Sequence, residues 1–393
     1  MGTPAPSNPF DNWRAMGISL YMVLVGYGVL VGIPVISSAW VNQLGFSEVE
    51  VGRVAGADLG GLSLGAVLTS LTIARFSRRH LTLLGIVISV AANGLCTITN
   101  AYEHVLWLRF ASGIGSGIYT AVAVANLGAT SRPARAFNFA LFAFAFSQAG
   151  ELAVLPLLSM NGIYLVFIVS YLLTLPFLGW FPAHRKRAAK DEGASGEGDR
   201  PPIPRYLPWM VLAAIGVTYI NIGAYWTYIE LASADSAADP DWVARALVLT
   251  SFFSVLGCLF ATLISNRFGL ARPLMITLVL QAIVVAMLAN GVDNVNIVVS
   301  LFSFNFLWVF IDVYQMASVA NVDPDGRYSA LMPGAQGLGQ IIGPNIAASV
   351  LAGGFGYHGV FILCASASIL ALLIYAIMYS RLRESSPALA DAS

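Results

Sequence analysis

Charge is scarce in this chain. Only 10% of its 393 residues are Asp, Glu, Lys or Arg, where a soluble domain carries about 25%. The four histidines, at 80, 104, 184 and 358, lie near the ends of apolar runs, and no two stand at metal-ligand spacing. No metal site is expected. The three cysteines, Cys96, Cys258 and Cys364, fall in three different apolar runs. They read as small hydrophobes rather than a disulfide framework. No Ser/His/Asp arrangement and no phosphate loop occurs, so the sequence gives no ground for an enzyme, a cofactor or ATP-driven transport. Gly113, Gly115 and Gly117 sit inside an apolar helix and not behind a strand, which rules out a nucleotide-binding loop. Formal net charge is zero, so no basic footprint for nucleic acid exists.

What is abundant is apolar sequence. Hydrophobic residues make up 58% of the chain and mean hydropathy is +0.76, which describes an integral membrane protein. About 20 consecutive apolar residues cross a bilayer as a helix. Twelve segments qualify: 15–39, 51–74, 81–100, 104–128, 136–159, 162–182, 207–231, 242–265, 273–290, 295–320, 328–353 and 358–380. The first is long and has no basic segment before it, so it reads as a span rather than a cleaved signal.

The few charges are sorted by side. If alternate loops face the cytoplasm, 17 of the 20 basic residues lie there, and only Arg53, Arg109 and Arg245 fall elsewhere. The positive-inside rule then places both termini in the cytoplasm. No Asn-x-Ser/Thr sequon is present, which suits a bacterial inner membrane. Residues 183–206 are charged and rich in Gly, Ser and Pro, a cytoplasmic linker by composition. They divide the chain into six-helix bundles at 1–182 and 207–383, with a tail at 384–393. A weak repeat relates the two. An offset of 192 residues carries Ala74-Arg75-Phe76-Ser77 to Asn266-Arg267-Phe268-Gly269, Tyr27 to Tyr219, and Gln148 to Gln340. Duplicated halves in transporters form one substrate site at their interface.

Four ionisable side chains sit deep in apolar spans: Asp58, Arg109, Glu151 and Asp312. A charge at the bilayer centre costs on the order of 3 kcal/mol even on lenient scales. At about 1.5 Å per residue, Asp58, Arg109 and Glu151 occupy the outer part of the first half and are expected to meet. Two acids sharing one Arg cannot both be neutralised, and one could then hold a proton as the halves rock. The competing reading is a static salt bridge between helices. Asp312 stands apart, flanked by Trp308 and Tyr314, and suits a proton or a cationic group. Aromatic and amide side chains elsewhere in the spans suit a small, partly apolar organic solute. The candidate substrate residues are Tyr27, Arg109, Tyr119, Gln148, Tyr219, Asn221, Trp226, Trp308, Tyr314, Gln336 and Gln340. An accessible Arg109 would suit a carboxylate or aromatic acid.

These features resemble the major facilitator superfamily over the whole chain. The loop after the second span reads Ser70-Leu71-Thr72-Ile73-Ala74-Arg75-Phe76-Ser77-Arg78-Arg79. It is similar to the family's Gly-x-x-x-Asp-Arg-x-Gly-Arg-Arg loop, with Ala74 where the family has an Asp that helps latch the halves. Arg109-Phe110-Ala111-Ser112-Gly113-Ile114-Gly115 looks like the family's Arg-x-x-x-Gly-x-Gly motif, whose Arg is often linked to proton coupling. The fifth span has Ser147-Gln148-Ala149-Gly150-Glu151 in place of the Gly-Pro-rich antiporter motif. The resemblance implies an all-α fold of twelve helices in two pseudo-symmetric halves. Spans one, four, seven and ten would line the cavity, and spans three, six, nine and twelve would face lipid. It further implies gating loops at Arg75, Arg78, Arg79, Asn266 and Arg267, and a functional monomer in lipid. The expected function is proton-coupled symport of a small organic solute, with sodium as an alternative coupling ion. Proton antiport for export is a second reading. A membrane sensor built on the same fold is a third, from another class.

Overall fold

A computed structural model describes residues 8–181, 204–264, 267–323 and 328–385. These form helices only, with no strand among the described residues. The first span is two helices, α1 (Trp13–Gly26) and α2 (Gly28–Leu44), interrupted at Tyr27. There follow α3 (Glu48–Thr72), α4 (Arg78–Cys96), α5 (Tyr102–Gly128), α6 (Pro133–Val154) and α7 (Met160–Leu172). The second set is α8 (Tyr206–Ala234), α9 (Pro240–Ile264), α10 (Ala271–Ala286), α11 (Asn294–Val322), α12 (Met332–Ala352) and α13 (Gly356–Ser385). Short 3-10 turns extend α6, α7 and α10. Eleven of these spans are long and apolar enough to cross a membrane. The twelfth, α12, has the length, but it carries Gly334, Gly337, Gly339 and Gly343 with Gln336 and Gln340, which lowers its hydropathy.

Helix starts are written locally. Ser47 and Glu50 close a capping box at the head of α3, and Asp293 and Asn296 close another at the head of α11. Breaks are written too. At the α1–α2 interruption, the Ser116 hydroxyl donates to the Gly26 carbonyl at 2.5 Å and ties the bend to α5. Within α2, Pro34 has no N–H, so the Leu30 carbonyl one turn earlier loses its helical donor.

In the first set α3, α4 and α1 pack on α5, and α4 packs on α7. In the second set α9 and α10 pack on α11, while α12 and α13 pack on α8. The two sets meet through α3 with α12, α6 with α9, and α2 with α8. The pairing has the symmetry that the 192-residue offset implies. Spans three, six, nine and twelve expose apolar side chains outward, among them Val87, Leu165, Ile276 and Leu373.

The α3–α5 crossing depends on missing side chains. A Cβ added at Gly61 would land on the Phe110 carbonyl, and one added at Gly113 on the Asp58 carbonyl. Backbone therefore meets backbone there, as small-residue packing permits. Gly113→Leu is expected to lower the thermal unfolding midpoint in detergent by the equivalent of about 1–3 kcal/mol or more. Gly94→Leu, in open space on α4, should leave the midpoint nearly unchanged. Equal midpoints for the two variants would contradict backbone contact at this crossing.

Candidate functional site

The ends of the bundle are distinguished by two arginines. The Arg53 face gathers the start of α3 and the ends of α2, α8 and α12. The Arg78 face gathers the opposite ends. Toward the Arg53 face the two halves are stitched together. Arg53 Nη1 donates to the Asn345 carbonyl at 3.0 Å and to Asn345 Oδ1 at 2.9 Å, and Nη2 donates to Ser349 Oγ at 2.9 Å. The Tyr228 hydroxyl donates to the Glu48 carbonyl at 2.8 Å. Trp226 Nε1 donates to the Leu30 carbonyl at 3.2 Å, the same carbonyl that Pro34 deprives of its donor. Trp226 is 1% exposed and lies edge-on to Trp308, ring centroids 6.3 Å apart. The two indoles form a lid between α2, α8 and α11.

On the Arg78 face the basic loop turns inward on its own half. Arg78 donates to Asn126 Oδ1 at 2.5 Å and lies over the Phe10 ring, and Arg79 donates to the Phe181 carbonyl at 3.1 Å. Arg75 and Arg267 are exposed, and Asn266 lies outside the described residues. Between α3, α8 and α12, on this side, lies a cavity of about 690 Å3 with mainly apolar walls, including Leu64, Val67, Leu212 and Leu338.

The expected triad of Asp58, Arg109 and Glu151 does not form. Arg109, 1% exposed, donates through Nε to Asp58 Oδ2 at 2.8 Å and through Nη2 to the same oxygen. Its Nη1 donates to Asn93 Oδ1 at 2.7 Å, and Asn93 in turn donates to Ser112 Oγ at 2.9 Å. This network joins α3, α4 and α5 inside the first bundle, with the Tyr164 ring of α7 5.8 Å from the guanidinium carbon. Glu151 is placed elsewhere because α6 does not pack on α3. Its Oε1 accepts from Ser147 Oγ at 3.4 Å, and its Oε2 is buried with no partner. The carboxylate lies against Gly28 and Gly32 of α2, where added Cβ atoms would stand 3.3 and 3.2 Å from its oxygens.

Asp312 anchors a second network, at the junction of α8, α11 and α12. The Tyr219 hydroxyl donates to Asp312 Oδ2 at 2.7 Å, and Gln336 Nε2 donates to the Tyr219 oxygen at 2.9 Å. Asp312 Oδ1 is buried and has no partner. Tyr219 and Trp226 are seven residues apart on one face of α8, and Trp308 and Asp312 four apart on one face of α11. The two antiparallel faces therefore meet twice, at the Tyr219–Asp312 bond and at the paired indoles. Other candidates are placed apart from this junction. Tyr119 bonds Thr174 at 2.6 Å inside the first bundle, and Asn221 donates to Ser368 at 2.8 Å inside the second. Tyr314 stacks on Phe310. Tyr27 is half-buried at the α1–α2 break, edge-on to Phe144. Gln148 is buried on α6 with Nε2 unpartnered, and Gln340 is buried on α12 against Gly223.

Sequence reasoning missed the Arg53 clasp, which it took for an outlier in the charge distribution. It also missed Asn93, because only ionisable residues were sought in the third span. A buried amide was the signal. Arg109→Gln is expected to destabilise the protein by about 3–5 kcal/mol, because it leaves Asp58 buried and unpaired. The double variant Asp58→Asn/Arg109→Gln should recover most of that loss in thermal unfolding. Additive losses would contradict mutual neutralisation.

The chain matches the family model described as Major Facilitator Superfamily over residues 18–344. No curated protein matches it. Among solved structures, the POT family transporter PepTSo superposes with a TM-score of 0.74 at 12% identity, covering 94% of this chain and 98% of that one. The nucleoside transporter NupG gives 0.71 at 15% identity, covering 93% and 99%. Its D323A mutant gives 0.72 at 13% identity, covering 92% and 98%. At such identities the likeness establishes the fold alone. With the twelve-span architecture, the family match over most of its length makes this chain a member of the Major Facilitator Superfamily.

Proposed function

We propose that the protein is a secondary transporter that moves a small organic solute by alternating access, coupled to protons. The observation that carries this reading is the unpartnered Asp312 Oδ1 where α8, α11 and α12 meet, capped by indoles that bridge the halves. A buried carboxylate oxygen without a donor is costly, so Asp312 takes a donor from the solute, and the halves rock about it. Glu151 Oε2, also buried without a partner on α6, is the carboxylate that carries the proton. Asp58 is committed to Arg109 and acts as a staple within the first bundle.

The charge asymmetry puts the Arg78 face and both termini in the cytoplasm, within a bacterial inner membrane, and a single chain is the working unit. The Arg53 clasp holds the opposite side shut, so the conformation described faces inward. Symport is favoured over antiport because the fifth span carries Ser147–Glu151 in place of the antiporter motif. Tyr27, Gln148 and Gln340 complete the wall of the path.

Two measurements test this. In proteoliposomes holding a pH-sensitive dye, Glu151→Gln and Asp312→Asn are each expected to abolish solute-driven proton flux, and Asp58→Asn/Arg109→Gln to retain it. Flux that survives both single variants, or is lost only in the double, would overturn the assignment. For the clasp, spin labels at the exposed Phe76 and Phe268 report closure of the Arg78 face. Arg53→Ala removes hydrogen bonds from a charged donor, worth about 1.5–3 kcal/mol each, and should raise the short-distance population at least tenfold. An unchanged distance distribution would show that Arg53 does not set the balance between states.

A further inference from the structure

We infer that the transported solute carries a positively charged group, a protonated amine in the simplest case, which docks on Asp312 beside Trp308. This deepens the transport reading above and rests on it.

The electrostatics of the junction exclude the opposite sign. Arg109 is the basic side chain buried deepest in the spans, and it is held by Asp58 and Asn93 inside the first bundle, away from α8, α11 and α12. Arg53 is held by Asn345 and Ser349, and Arg78 and Arg79 by their own half. A carboxylate-bearing solute arriving at the junction would meet Asp312 with no described cation to offset it. Like charges at such a site cost several kcal/mol.

The hydrogen-bonding inventory points the same way. Asp312 Oδ2 takes the Tyr219 proton, and Oδ1 lacks a donor. Gln336 gives an amide N–H to Tyr219, which leaves its amide oxygen as a second acceptor at the same place. The junction thus offers acceptors in search of donors. An ammonium group supplies three donors and no acceptor. Trp308, one turn from Asp312 on the same face of α11, brings its indole beside the carboxyl, with its N–H toward Asp312 and Tyr219, and an indole is the best aromatic neighbour for a cation. Trp226 closes the far side at 6.3 Å. An acid, a second acceptor and an indole form the recognition set of an organic cation with an apolar body.

Direct binding tests this without requiring transport. The purified full chain in nanodiscs is titrated with 2-phenylethylammonium, 4-phenylbutylammonium and tetraethylammonium. The carboxylate and alcohol that match each phenylalkyl cation are titrated beside them, with quenching of tryptophan fluorescence as the readout. At least one cation is expected to bind saturably and at least tenfold more tightly than its matched carboxylate and alcohol. Asp312→Asn should weaken that binding at least tenfold, and Asp312→Glu should restore part of it. Thermal unfolding confirms that each variant is folded. A carboxylate or alcohol that binds as well as its cation, cation binding indifferent to Asp312→Asn, or no binding by any cation of the panel would overturn the inference. Asp312-dependent cation binding without solute-driven proton flux would remove the transport reading and leave the site. Proton flux driven by an uncharged or anionic solute would remove this inference and leave the transport reading.

Discussion

A guanidinium that is 1% exposed inside a lipid-embedded bundle persists only if its charge and its donors are answered nearby. Arg109 is answered twice, by Asp58 on α3 and by Asn93 on α4. The glycines of the α3–α5 crossing bring the backbones close enough for that reach. Much of the charge layout follows from this one pairing. The deepest arginine and one of the three deep acids neutralise each other within the first bundle. Glu151 and Asp312 are each left with a buried oxygen that has no partner, the first against α2 and the second where α8, α11 and α12 meet.

The contact between halves has a similar logic of deficits and supplies. Pro34 removes the donor for the Leu30 carbonyl, and the Trp226 indole from the other half provides one. That bond has a partner only while the Arg53 side is shut, as do the bonds from Arg53 to Asn345 and Ser349. At the opposite side, where the family's latch carries an Asp, this chain has Ala74, and its Arg78 and Arg79 bind their own half. On the transport reading proposed above, loss of one latch and gain of the other would shift the balance toward the state closed at Arg53.

Apolar length and the sorting of basic residues were enough to read twelve spans from the sequence, and the loop at 70–79 with the Arg109 glycine motif carried the resemblance to the family. Tyr219 and Asp312 stand out in the sequence, because an acid next to aromatics in an apolar span is conspicuous, and the structure joins them in one hydrogen bond. The relation of Glu151 to Arg109 was not. Depth along a helix axis can be counted from sequence, but the direction in which a side chain points depends on which helices pack together, and α6 packs on α2 and α9 rather than on α3. The directions of Tyr119 and Asn221 were hidden for the same reason. Each lies on a cavity helix but points into its own bundle, to Thr174 and Ser368. The clasp was hidden because its partners are neutral. Nothing in the sequence ties Arg53 to Asn345 and Ser349, nearly 300 residues away, until the helices are placed.

The central claim is a division of labour: Asp58 and Arg109 hold the bundle, while Asp312 meets the solute. The most direct test is ligand-induced thermal stabilisation of three proteins, wild type, Asp312→Asn and Asp58→Asn/Arg109→Gln, with the cation of the panel that wild type binds most tightly as the ligand. A ligand at 100 times its Kd adds about 2.7 kcal/mol to the folded state. The account predicts an upward shift of the unfolding midpoint in wild type and in the double variant, and none in Asp312→Asn. A shift kept by Asp312→Asn and lost in the double variant would contradict it.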